Sequence, residues 1–200
     1  MNKLKVMTIV GTRPEIIKLS EVMKELDRHV NHIIVHTGQN YDYELNKIFF
    51  DELNIKKPKY YLDVDTNSLG KVLGNTLIKI EEVLIKEKPD AVLILGDTNS
   101  SISAIMAKRF HIPVYHMEAG NRSFDLNVPE EINRKIIDHI ADINMPYSDI
   151  AREYLIREGI QPDRIIKTGS PMNEVIKYNF DGIISSNIMT SMKLKKEDVR

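Results

Sequence analysis

Short apolar runs alternate along this chain with longer segments whose apolar residues recur every three or four positions, and few folds accommodate that rhythm. The short runs are Leu4–Val10, His32–Thr37, Ala91–Leu95, Val114–Met117, Asp142–Met145 and Arg164–Thr168. The longer segments are Ile16–Leu26, Glu44–Leu53, Leu69–Ile85, Ser100–Phe110, Glu130–Ile140 and Ile150–Glu158. The runs read as strands and the segments as amphipathic helices. Parallel neighbours need a long crossover, usually a helix, so this order predicts an α/β fold with a parallel sheet covered on both faces. Lys56–Asn67 stays open between a plain loop and a loop holding a short strand at Tyr60–Leu62.

Composition narrows the function classes. The chain has 200 residues, 42% hydrophobic and 28% charged, enough to bury a sizeable core. A net charge of −1 supplies no global field for nucleic acid or an anionic membrane, so any phosphate recognition is local. The chain has 0 cysteines, which excludes disulfides, thiolate zinc sites and cysteine nucleophiles and fits a reducing, cytoplasmic setting. No run has the length of a membrane span, and Met1–Val10 lacks a signal-peptide pattern. No repeat or low-complexity tract is present. The helical pattern weakens after Tyr178, which predicts one domain over residues 1–178 and, over 179–200, a linker with the first residues of a second domain.

In parallel sheets the ligand-facing residues lie where strands end and helices begin, and four such junctions stand out. Gly11-Thr12-Arg13-Pro14-Glu15 has the form of a capping box with proline in the first turn. Either Thr12 and Glu15 merely cap a helix, or the free N–H groups there hold a diphosphate with Arg13 forking onto its oxygens. Gly96-Asp97-Thr98 delivers a carboxylate at a strand end, as a helix N-cap or as a functional acid. Glu118, in His116-Met117-Glu118-Ala119-Gly120, follows a strand with no helix start nearby to explain it. Asn127-Val128-Pro129-Glu130 reads as a second capping box, with Arg134 an i,i+4 partner of Glu130. His116 and His139 read as core or surface histidines. The spacing of a histidine metal site is missing, and the Gly-Thr-Arg turn lacks the form of a nucleotide-triphosphate loop.

Taken in order, Gly11–Glu15, His36-Thr37-Gly38-Gln39, Gly96–Thr98, Glu118–Gly120, Pro129-Glu130-Glu131-Ile132-Asn133-Arg134 and Thr168-Gly169-Ser170-Pro171 resemble the non-hydrolysing UDP-N-acetylglucosamine 2-epimerase family. The resemblance runs over about residues 4–175. Met117–Asp125 followed by Val128–Glu131 is most similar to one branch, the capsule and O-antigen enzymes that convert UDP-2-acetamido-2,6-dideoxy-L-talose to UDP-N-acetyl-L-fucosamine.

The resemblance implies a fold and a chemistry. The fold is a Rossmann-like doubly wound sheet, the N-terminal half of a GT-B-like two-domain protein whose second half supplies much of the uridine pocket and a catalytic histidine. The chemistry is anti elimination of UDP across C1–C2 of a UDP-linked acetamido sugar, then re-addition with inversion at C2. By resemblance Asp97, Glu118 and Glu130 are the acid–base residues, Arg13 and Lys18 contact phosphate, and Gln39, Arg122 and Arg134 bind substrate. No cofactor, metal, nucleic acid or membrane is implied, and the family resembles homodimers joined through this domain. One departure stands out: Gln39 is followed by Asn40-Tyr41-Asp42-Tyr43, where bacterial members often carry a histidine and arginine that hold a second, activating substrate molecule. The rival readings are a UDP-N-acetylglucosamine to UDP-N-acetylmannosamine epimerase, a GT-B-like glycosyltransferase and a non-catalytic nucleotide-sugar sensor.

Overall fold

A computed structural model describes residues 3–38 and 43–193. Six parallel strands form one sheet: β1 (Lys5–Val10), β2 (Asn31–His36), β3 (Tyr60–Tyr61), β4 (Ala91–Leu95), β5 (Val114–Met117) and β6 (Ile143–Met145). Their spatial order is β3-β2-β1-β4-β5-β6, the doubly wound arrangement that reverses direction between β1 and β4. Between the strands run α1 (Arg13–His29), α2 (Tyr43–Glu52), α3 (Leu69–Glu87), α4 (Ser103–Arg109) and α5 (Pro129–Ile140). After β6 come α6 (Asp149–Arg157), α7 (Met172–Tyr178), α8 (Phe180–Ser185) and α9 (Ile188–Ser191).

Side chains alternate across a strand, and here both faces are apolar. Met7, Ile9, Ile33, Val35, Val92 and Ile94 point into one core with Val72, Ile80 and Leu84 of α3 and Ala104 and Ala107 of α4. Val10, Ile34, Leu93, Leu95 and Met117 point the other way, against Ile16, Leu19 and Met23 of α1 and Phe50 of α2. That two-sided burial is why the strands read as continuous apolar runs rather than alternating ones. No helix among the described residues is long and apolar enough to cross a membrane.

Two expectations change and one open reading closes. Arg164–Thr168 is not a strand: Pro162–Arg164 forms a 3-10 turn, and the segment meets β6 through an isolated bridge between Ile165 and Asn144. The turn that begins at Pro162 and the left-handed Gly169 (φ +76°) leave too short an extended stretch for a ladder. Tyr60–Tyr61, left open from sequence, is an edge strand on β2. The helix α5 is capped at Val128, without a side-chain cap, because the Asn127 amide turns to Asp125 Oδ1 (2.9 Å) instead. From residue 180 to 193 every side chain is exposed.

Glu87 at the end of α3 binds three groups near the sheet edge. It accepts from Lys59 Nζ and Tyr60 Oη, both at 2.6 Å, and pairs with Lys5 Nζ at 3.4 Å. The bond from Lys59, followed by that from Tyr60, pulls its carboxyl down to about 2. Because the folded value lies below the ordinary 4.5, the stabilisation is complete above about pH 4.5 and disappears as pH falls towards 2. Glu87→Gln should therefore melt below wild type at pH 7, and the gap should close between pH 4.5 and 2. A gap independent of pH in thermal melts would remove the charge from this account.

Candidate active site

The two strand-end acids lie at the carboxyl ends of β4 and β5, beside the point where the strand order reverses. Asp97 follows the left-handed Gly96 (φ +70°) after β4, and Glu118 follows β5. Glu118 itself adopts φ +62°, a conformation that costs a side-chain-bearing residue on the order of 1–3 kcal/mol and concentrates at functional sites. Its backbone N–H is held by Met145 O at 3.1 Å, so the strained turn is tied to β6.

One cation bridges the two acids and a second binds Glu118. Arg134, one turn into α5, binds Asp97 Oδ2 and the carbonyl of Glu118, and its Nη2 lies 3.8 Å from Glu118 Oε1. Lys18 of α1 reaches Glu118 Oε2 at 2.5 Å. Asn133 Nδ2 donates to Asp97 O at 2.9 Å. The Asp97 and Glu118 side chains remain 21% and 14% exposed, so a ligand can reach both, whereas Arg134 is 8% exposed. Tyr147 closes one side. Burial, and then the Glu118 charge, hold its phenol proton well above the usual tyrosine range.

The remaining sequence candidates fall in different places. Glu130 is exposed in the first turn of α5, on the same face as Arg134 one turn on; Arg134 pairs with Asp97 and Glu118 rather than with Glu130. Glu131, beside it, is the buried acid, and it accepts from Ser123 N at 2.9 Å. Arg13 is exposed at the first position of α1. Gln39 lies outside the described residues. His36 precedes it: burial pushes its imidazole down to about 4, so the ring is neutral at pH 7, and Nδ1 accepts from Gly38 N at 3.0 Å.

Arg122 departs most from expectation. Its guanidinium forks onto Glu158 (2.8 and 2.5 Å), lies 2.7 Å from Asp138 and bonds Asn121 O at 2.8 Å, with its side chain 0% exposed. A group so enclosed supports the loop and presents no free edge to a ligand. Of the two readings of the start of α1, helix capping is the one the bonds follow, and the N–H groups there are taken. The capping box forms, and the Glu15 carboxylate accepts from Gly11 N (2.8 Å), Thr12 N (2.7 Å) and Thr12 Oγ1 (3.0 Å).

Sequence reasoning missed the groups that hold these loops. Asp138 is 1% exposed, lies 2.9 Å from His116 Nδ1 and 2.7 Å from Arg122 Nη1, and accepts from Gly120 N at 3.2 Å. On its far side, His116 Nε2 lies 2.8 Å from Gly96 O, next to Asp97. One buried carboxylate thus supports both acid-bearing turns. Gly120 has φ +78°, and a Cβ there would sit 2.4 Å from Ala151 O, so only glycine lets this turn pack on α6. The signal was present: Arg134 and Asp138 are four apart, placing ionic groups on the inward stripe of a helix, where buried charges require partners.

The family model described as UDP-N-acetylglucosamine 2-epimerase matches residues 24–199. A Methanococcus maripaludis protein named "UDP-N-acetylglucosamine 2-epimerase homolog" is 52% identical over 78% of this chain and 44% of its own length. The structure of UDP-N-acetylglucosamine 2-epimerase from Rickettsia bellii superposes with a TM-score of 0.92 at 56% identity, covering 97% of this chain and 52% of that one. The Methanocaldococcus jannaschii enzyme, solved in complex with UDP-GlcNAc and UDP, gives 0.89 at 41% identity, covering 94% and 53%. The chain spans about half the length of these proteins. Two strand-end acids sharing one helix arginine in a doubly wound sheet, together with a match over residues 24–199, establish that this chain belongs to the UDP-N-acetylglucosamine 2-epimerase family.

Proposed function

We propose that this chain is the catalytic half of a UDP-N-acetylhexosamine 2-epimerase, an isomerase that eliminates UDP from its substrate and adds it back. The observation that carries the reading is the pairing of Asp97 and Glu118 through Arg134, with Lys18 on Glu118. The C2 proton of the sugar has no neighbouring carbonyl to acidify it, so direct removal and return is too slow. Anti elimination avoids the problem: a carboxylate takes the C2 proton as the C1–O bond breaks, the pair of electrons forms the C1–C2 double bond, and UDP departs. Re-addition then forms the C1–O bond again while a protonated acid delivers hydrogen to the opposite face of C2. Such chemistry needs two proton-transfer groups on either side of a bound ring and cations for the departing diphosphate. Asp97, Glu118 and Glu130 are the acid–base set; Arg13, Lys18, Arg134 and Gln39 are the substrate contacts. Arg122 supports the loop.

For the sugar, Met117–Asp125 and Val128–Glu131 favour the UDP-2-acetamido-2,6-dideoxy-L-talose to UDP-N-acetyl-L-fucosamine conversion, a step in surface-polysaccharide precursor synthesis in the cytoplasm. A second reading, UDP-N-acetylglucosamine to UDP-N-acetylmannosamine, is favoured by the names of its relatives and by the UDP-GlcNAc bound to one of them. We place residues 179–200 as the passage into a second domain, and a homodimer contact on this domain, which exposes Ile78 and Ile85 on α3 and Ile132 and Ile136 on α5. The complete enzyme, incubated with each UDP-sugar in deuterated water and followed by NMR, should take up deuterium at C2 with inversion. Transfer of the sugar to an acceptor without C2 exchange would overturn the reading in favour of a glycosyltransferase. The 200-residue chain alone should show no turnover, because the uridine grip lies in the second domain; measurable exchange by it would reject that division of labour.

A further inference from the structure

The start of α1 already holds an anion, and the anion belongs to the chain itself. Besides the Gly11 and Thr12 donors, Glu15 Oε1 accepts from Thr98 Oγ1 at 2.8 Å and from Ser100 Oγ at 2.6 Å. Five donors from the turns after β1 and β4 therefore meet on one carboxylate that is 2% exposed. Backbone N–H groups at such a helix start are the ordinary seat of a ligand phosphate in this class of fold. Here no space remains: a Cβ on Gly11 would stand 2.2 Å from Thr37 Oγ1 and 2.9 Å from Ser100 Cβ. Burial raises the carboxyl above its ordinary value, with the bonds from Ser100, Thr98, Gly11 and Thr12 opposing, so the donors are what keep an acceptor there.

We propose that Glu15 is a positioning residue: its carboxylate takes the place of a phosphate at the start of α1 and fastens Thr98 and Ser100, fixing the turn that carries Asp97. The substrate diphosphate is thereby excluded from the Gly11 and Thr12 amides and must be met by side-chain cations such as Arg13 and Lys18. The part concerning Asp97 rests on the epimerase reading; the exclusion of phosphate does not.

Two measurements test the two parts separately. In the ¹⁵N-labelled 200-residue chain, titration with inorganic phosphate should leave the Gly11 and Thr12 amides of wild type unmoved, and Glu15→Ala should give them a saturable shift. A saturable wild-type shift at these amides, or none in a folded Glu15→Ala, overturns the seat; should Glu15→Ala fail to fold, the wild-type titration still decides. In the complete enzyme, Glu15→Asp is one methylene too short to span both turns. It should lower kcat for C2 exchange tenfold or more while KM for the UDP-sugar stays within about threefold. An unchanged kcat, or a rise in KM alone, overturns the positioning role. Absence of exchange in the wild-type enzyme would refute the epimerase reading and leave the phosphate titration standing.

Discussion

Asp97→Asn and Glu118→Gln should each lower the rate of C2 deuterium exchange by about 10²–10⁴-fold in the complete enzyme, the range that a positioned proton-transfer group contributes. Both amides keep the shape of the acid and can still bind the neighbouring cation, Arg134 for Asp97 and Lys18 for Glu118. The fold and the UDP-sugar affinity should therefore survive while proton transfer fails. That separation distinguishes an epimerase from a sensor, which would tolerate either change. Melting curves and ligand titrations on the same variants supply the control: loss of exchange with wild-type melting and binding supports the roles, and wild-type exchange in either variant removes that acid from the mechanism.

Asp138→Ala should destabilise the chain by about 3 kcal/mol, the lower end of the range for breaking a buried ion pair, because Arg122 keeps one partner. In this protein Arg122, whose side chain is 0% exposed, would keep Glu158 and lose its second carboxylate, while Gly120 N would lose its acceptor. For a chain of this size the loss corresponds to a fall in melting temperature on the order of 10 °C. Chemical denaturation of wild type, Asp138→Ala and Asp138→Asn measures it, and the asparagine, which preserves an acceptor for Gly120 N, should fall between the other two. A melting temperature for Asp138→Ala within 2 °C of wild type, roughly 1 kcal/mol or less on the same scale, would show that the cluster adds nothing to folding.

Much of this architecture was legible because the governing signals are local. Strands buried on both faces tend to be apolar throughout, and Ile9–Val10, Ile33–Val35 and Val92–Leu95 are. Asp97 and Glu118 stood out for a related reason: a charge that ends an apolar strand sits at the ligand-facing rim. What escaped notice depends on partners distant in sequence. Nothing near Asp138 announces that His116, Gly120 and Arg122 converge on it from the turn after β5. Arg122 looked like a free cation until Glu158, thirty-six residues on, closed around it. The seat at Gly11 looked open because a capping box predicts one acceptor for the helix start, not that the same carboxylate reaches Thr98 and Ser100 as well. Asn127–Glu130 matched the form of a cap, and a competing local bond to Asp125 defeated it.

The stretch from Arg122 to Val128 is fastened at both ends and exposed between. Arg122 is anchored to Glu158, Ser123 N to Glu131 at 2.9 Å, and Val128 N to Asp125 O at 3.1 Å, while residues 123–127 are all exposed. Phe124, edge-on to Tyr154 with ring centroids 5.1 Å apart, rests on the body of the domain. Asp125 and Asn127 bond to Ser123, Val128 and one another, so substitutions there leave the bond between Arg134 and Asp97 in place, whereas Arg122 shares Asp138 with both acid-bearing turns.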